Sequence, residues 1–190
     1  MQATFTLADE QFAANDYAGV MVGLPLTVQL ETGPLLYGRD DGSGWFTRTS
    51  TGPASFKPLM LDRVAFCGRI SQIEGWSGHG DTLIQALVDC GVLLRMDLYD
   101  PQVEWAQPAA IPYGLAVGEW VVGVADLRGR LAVDASDLLW QPVQGAIMDI
   151  QLLQLNPAQP DFGTLRWLHG LPRHSFAPDQ VFITIKILKG

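Results

Sequence analysis

Residues 117–131 read V-G-E-W-V-V-G-V-A-D-L-R-G-R-L. A Gly-acid turn opens into an apolar run, which Gly123 and then Gly129 interrupt. Glycine inside a strand weakens it and marks a bulge or a sharp bend. A strand that starts at a turn and bends twice suits a small closed sheet, whose strands must coil hard to shut. The same punctuation runs through the chain. Its 20 Gly and 12 Pro in 190 residues keep elements short, and long helical periodicity is nearly absent. The expected class is all-β.

Upstream of this stretch, Arg63–Trp76 reads as a long strand with Gly68 inside it. S-G-H-G-D at 77–81 reads as a loop, Thr82–Cys90 as a second strand, Gly91 as a tight turn and Val92–Tyr99 as a third strand. Residues 100–116 carry Pro101, Pro108 and Pro112, which leave no room for a long helix. Downstream, Pro142–Leu155 and Asp179–Lys189 read as strands, the latter with Val181, Ile183, Ile185 and Ile187 on one face. Toward the N-terminus, Leu7–Tyr17 suits a short helix, and Ser136–Trp140 suits one further turn. Val20–Leu30 and Leu35–Tyr37 suit a hairpin through E-T-G-P, and Trp45–Thr49 a short strand after the turn at 40–44. T-G-P-A-S at 51–55 is the best linker, with a boundary near residue 60.

A long strand with an internal glycine (Phe66-Cys67-Gly68-Arg69-Ile70), a hairpin pair, a long connection and a strand launched by Val117-Gly118-Glu119-Trp120-Val121 resemble an OB-fold barrel over about residues 62–155. The resemblance implies an OB-like antiparallel β-barrel at 61–155 with additional β elements at both ends. Residues 1–60 would form a hairpin extension or small subdomain, and 156–190 a loop and strand packing back on the N-terminal part. The fold usually carries a helix where residues 100–116 carry prolines, so another small barrel or a β-sandwich is the alternative. If residues 76 and 81 oppose each other across the 77–81 loop, Cys67 faces Cys90, giving two neighbouring buried thiols. A bulge is expected at Gly68, and it would shift that register by one and turn Cys67 to the other face.

The composition, 48% hydrophobic and 17% charged, is that of a globular chain with much neutral or apolar surface. Some of the six Trp could stand on a binding surface, though core filling is the more ordinary account of them. The net charge of −8 is unevenly spread: residues 62–149 hold twelve acids against five bases, and residues 150–190 two acids against four bases. An acidic middle argues against nonspecific phosphate binding, which depends on Lys and Arg displacing counterions. The first residues, M-Q-A-T-F-T-L-A-D-E, lack the basic start and apolar run of a secretory signal, and no apolar stretch reaches the roughly 18–20 residues of a membrane helix. Two Cys without C-x-x-C suit a reducing compartment. The expectation is a cytoplasmic chain with no membrane contact and no cofactor.

His79, His169 and His174 lack metal-ligand spacing, so no metal is expected. Cys67 and Cys90 lie in apolar strand contexts. The pairs Asp40/Asp41, Asp97/Asp100 and Asp134/Asp137 fall at turns or strand ends, where solvated carboxylates are ordinary. G-R-D-D-G-S-G-W at 38–45 has no Lys and two Asp that repel phosphate. No catalytic residue is assigned, and an enzyme would have to use His79, Asp81 and His169. Most functional content lies in T-L-R-W-L-H-G-L-P-R-H-S-F at 164–176, where Arg166, His169, Arg173 and His174 alternate with Trp167 and Phe176. Interleaved cations and rings suit single-stranded nucleic acid, charge for the backbone and π-faces for the bases. Trp45, Phe46 and Arg48, with Arg69 and Trp76, would extend that surface. The first reading is therefore a non-catalytic OB-like module binding single-stranded nucleic acid. The second is an acidic protein-interaction or assembly subunit, a homo-oligomer included. The third is an enzyme of unrecognised type.

Overall fold

The computed structural model describes residues 1–7, 19–38, 44–78, 81–98, 114–131, 139–171 and 180–188. They form one sheet of eleven strands. In order these are β1 (Gln2–Leu7), β2 (Pro25–Tyr37), β3 (Trp45–Thr49), β4 (Ser55–Met60), β5 (Arg63–Gly78), β6 (Asp81–Asp89), β7 (Leu93–Leu98), β8 (Trp120–Arg130), β9 (Val143–Leu153), β10 (Leu165–Leu168) and β11 (Gln180–Ile187). No helix among the described residues is long and apolar enough to cross a membrane. The short helix expected at 7–17 falls mostly outside the described residues, as do the turn at 40–44 and most of the 100–116 connection.

Two long strands, β2 and β8, organise the sheet. Along one half of β8 the pairings run β8–β5–β6–β7–β2 and return to β8, closing a ring. Three of these contacts are antiparallel pairs, whereas β7 runs parallel to β2 with Glu31 opposite Arg95. Gln29–Thr32 against Arg130–Leu127 then completes the circuit. Along the other half, β8–β1–β11–β9–β2 closes a second ring, with Thr6 opposite Arg128 and Pro25 opposite Ala146. β3 fills the gap where β2 and β8 part, pairing with both. β4 and β10 are the two edges. The sheet is thus mixed rather than antiparallel, because β1–β8, β2–β3 and β2–β7 are all parallel.

The opening stretch explains how the rings share one core. Val121, Gly123, Ala125, Leu127 and Gly129 are buried along the whole of β8, while the even-numbered residues face outward. Side chains from both rings, among them Phe5, Phe46, Phe66, Leu94, Ile150 and Ile183, therefore meet in one cluster. A Cβ at Gly123 would collide with the carbonyl of Trp45 and the ring of Phe66, and one at Gly129 with the ring of Phe5. Both glycines are close approaches that let rings of aromatic side chains fill the interior.

Several expectations change. E-T-G-P is no hairpin turn: β2 runs through it as one strand, with a register shift between Glu31 and Pro34. The ring containing β5–β8 is closed by β2, while Pro142–Leu155 supplies β9 to the other ring. The irregularity of β5 lies between Ile70 and Gln72, not at Gly68. The hairpin turns between Gly78 and Asp81, so Trp76 opposes Leu83 and Ile73 opposes Ala86. Gly68 packs flat on the neighbouring strand, where a Cβ would stand 2.6 Å from Cys90 Sγ. Cys90 is buried in the core, and burial, reinforced by Asp89 and Cys67, pushes its thiol up to about 12. Cys67 lies on the outer face, half-buried, and neither cysteine is bridged.

Candidate functional site

The residues expected to bind a ligand fall in two separate places. At the open end of the first ring, β3 and β5 flank β8, with Thr49 and Arg69 both opposite Trp120. Trp45 shares this outer face, since it opposes Val124 four pairs further along. Opposed residues in a sheet share a face, so Trp45, Trp120 and Arg69 look outward together. Arg48 does not join them. It opposes the buried Val121, donates from Nη2 to the Gly114 carbonyl at 2.6 Å, and sits 3.4 Å from the Glu119 carboxylate. Arg69 donates from Nε to the Gly118 carbonyl at 2.9 Å. Both guanidinia therefore tie down the 114–119 segment, which places Leu115 in the end of the core. Trp120 was missed because a Trp beginning an apolar run reads as core filler.

The second place is β10. Trp167 is 67% exposed, Arg166 and Leu165 are exposed beside it, and Phe162 projects from the preceding turn. Trp167 opposes Gln151 on β9, which opposes Phe182 on β11, which opposes Thr6 on β1, which opposes Arg128 on β8. Four strand spacings of about 4.8 Å separate Trp167 from β8. The β10 pair and the Trp45–Arg69 face do not form one groove. Of the remaining candidates, Trp76 lies on β5 near its hairpin, while Arg173, His174, Phe176 and His79 fall outside the described residues. Among the described residues no group of His, Cys, Asp and Glu is placed to hold a metal.

A third feature was not anticipated. On the outer face of the first ring, Glu31 accepts from Arg95 of β7 and lies 3.5 Å from Arg130 of β8, so one carboxylate bridges both neighbours of β2. Gln85 donates to Asp97 at 2.9 Å in the same patch, and Arg128 lies over Gly33. Arg95 is 1% exposed. The patch is covered in part by the segment before β9: Leu139 is buried, and Gln141 N donates to Gln29 Oε1 at 2.6 Å. Burial pushes the Glu31 carboxyl upward against the pull of Arg95 and Arg130, and burial likewise raises Asp97 against its bond from Gln85. Desolvation outweighs attraction in both. No local signal marks this cluster, because L-R-M-D-L alone reads as a strand with solvent-facing charges.

Exposed apolar side chains also gather elsewhere on the surface. Leu59, Met60 and Leu61 cap the β4–β5 hairpin, with Met60 69% exposed and Leu61 held at φ 48°. A half-open cleft of about 800 Å³ is lined by Met1, Val92, Pro142, Val143, Ile187 and Leu188, among others, where the β6–β7 turn meets the starts of β1 and β9. No family model, curated protein or solved structure matches this chain.

Proposed function

We propose that this chain is a non-catalytic binding module whose partner is protein. The observation that carries the reading is a contrast between its cations and its apolar side chains. Of the nine described Lys and Arg, Arg48, Arg63, Arg95 and Arg130 are in ion pairs and Arg69 is spent on a backbone carbonyl, while the exposed Lys57, Arg128, Arg166 and Lys186 lie on four different strands. Meanwhile Met60, Trp167, Phe162, Leu59 and Leu165 stand in solvent. Phosphate recognition depends on cations free to displace counterions. Clustered exposed apolar side chains are what a protein partner covers. The net charge of −8 points the same way.

An OB-like assignment of the first ring belongs to the same proposal. Its support is the pairing order: a meander β5–β6–β7, then β8 antiparallel to β5, then a closing strand parallel to β7 and antiparallel to β8. An OB-type barrel closes in that manner, with the closing strand last in the chain. In this chain β2 takes that place from the N-terminal side, a circularly permuted order. Two unbridged thiols accord with a reducing compartment, and we place the chain in the cytoplasm.

A second reading, binding of single-stranded nucleic acid, is favoured by one observation, the exposed Trp167 beside the exposed Arg166. Titration of a labelled oligonucleotide separates the two. The protein reading expects no saturable binding at about 50 mM salt. Binding that weakens steeply toward about 200 mM, and is lost in Trp167→Ala, overturns it in favour of nucleic acid.

A further inference from the structure

The sheet has two edges, β4 and β10, and they are built differently. β4 carries Lys57 and Pro58, residue types that discourage pairing with a foreign strand. β10, Leu-Arg-Trp-Leu, has neither. In an antiparallel pair the main-chain groups of successive residues turn to opposite sides. The Thr164 carbonyl accepts from Gln154 N on the β9 side, and the His169 carbonyl accepts from Val22 N on the far side. By that alternation Leu165 and Trp167 turn their N–H and C=O groups away from β9, and no backbone group among the described residues meets them. The chain itself shows that this side accepts a strand. Met21 bridges Gly170 in antiparallel register, and the segment then leaves at Gly23, whose N donates to Ile147.

Resting on the protein-binding reading above, we infer that β10 takes an extended segment of a partner protein, antiparallel, with the side-chain pattern apolar, carboxylate, apolar. Each part of that pattern answers a separate feature of the edge. The unmet main-chain groups of Leu165 and Trp167 call for a strand, because a helix has already spent its own on itself. Leu165 and Trp167 oppose Leu153 and Gln151, so they share the outer face, and they are 47% and 67% exposed. They call for apolar side chains opposite them. Arg166 stands between them on the other face, exposed and in no ion pair among the described residues. It calls for a carboxylate. A second copy of β10 does not supply one, since the strand contains no acid. The net charge of −8 disfavours an anionic guest at long range, but it is spread over the chain and screened beyond about 8 Å at physiological salt, whereas Arg166 acts at contact. Two outward-facing residues give a short pairing, so the side chains set the preference.

Fluorescence anisotropy on the full chain at about 150 mM salt tests this with three labelled peptides. One is centred on Val-Glu-Val, the second on Val-Lys-Val, and the third is the first peptide N-methylated at both valines. The expected result is saturable binding of the Glu peptide, at least about threefold tighter than the Lys peptide, and none of the N-methylated one. Net charge alone favours the Lys peptide, so a preference for Glu reports Arg166. Arg166→Glu should reverse the preference, and Trp167→Ala should weaken both peptides. The comparison among peptides uses the parent chain, so it stands whether or not a variant folds. Equal binding of the Glu and Lys peptides overturns the inference, as does binding that N-methylation leaves unchanged. So does a parent chain that takes up no peptide, and sedimentation velocity then shows whether a second copy holds the edge instead. None of these outcomes touches the protein-binding reading, which fails only through the oligonucleotide titration.

Discussion

Gly123 lies where β8 passes between the Trp45 carbonyl and the Phe66 ring, and Gly68 where β5 lies against Asp89 and Cys90. In both places the missing Cβ is the feature that matters, because neighbouring backbone occupies the space a methyl group would take. Gly123→Ala is expected to cost about 1–3 kcal/mol, and Gly68→Val at least as much, through overpacking against atoms that cannot yield. Gly19 has open space around it, so Gly19→Ala should lose only what its φ of +92° demands. Urea midpoints of the three variants check this, and an unchanged midpoint for Gly123→Ala counts against the close approach. Gly123 and Gly129 were legible as breaks in an apolar run. The contacts that require them were not, since Trp45 and Phe5 come from distant parts of the chain. Gly68 shows the same division: its presence in a strand was readable, but the bulge sits at Ser71, where nothing in S-Q-I announces it.

At the scale of elements, β2 carries the clearest conflict between local and tertiary preference. Glu31-Thr32-Gly33-Pro34 has turn chemistry throughout, yet β7 and β8 pair with the segment from both sides and hold it extended. Glu31 ties the three strands together, its carboxylate shared by Arg95 and Arg130. Removing one member of such a buried pair leaves a charge without compensation, so Arg95→Ala is expected to cost about 3–5 kcal/mol. Glu31→Leu combined with Arg95→Met should cost less than either single change, because neither member of the pair is left buried without its partner. The acids of this patch also set a pH dependence. Glu31 and Asp97 both have carboxyls raised by burial above their ordinary values of 4.5 and 3.8. A raised carboxyl binds its proton better in the folded state, so its stabilisation is complete below the ordinary value and is lost as pH rises through the raised one. Melting temperature should therefore increase as pH falls from neutrality toward those ordinary values, and Asp97→Asn should flatten that slope. A melting temperature that falls over that interval in the parent chain contradicts the assignment.

On the scale of the whole molecule, the all-β class and most central strands could be read from glycine placement and apolar runs, whereas ring closure could not. The strand that closes the first ring lies 64 residues from its parallel partner, as Glu31 and Arg95 show. Parallel pairing leaves no turn or hairpin signature between partners, so sequence patterning offers nothing to connect them. The same distance makes a strong expectation about fragments. Residues 61–155 contain β5, β6, β7 and β8 but lack β2, leaving facing edges on β7 and β8 that no other strand in the fragment covers in the intact chain. They also lack Phe46 from β3 and the β1 and β11 side chains that complete the shared core. Expressed alone, that fragment is expected to show no cooperative thermal transition and to aggregate through its open edges. A fragment spanning residues 19–155 restores β2 and β3, and should recover a transition at lower temperature than the full chain. Circular dichroism melts of the two fragments decide the matter. A sharp transition for residues 61–155 alone would mean that β9 can close the ring in place of β2, the arrangement an unpermuted OB order requires.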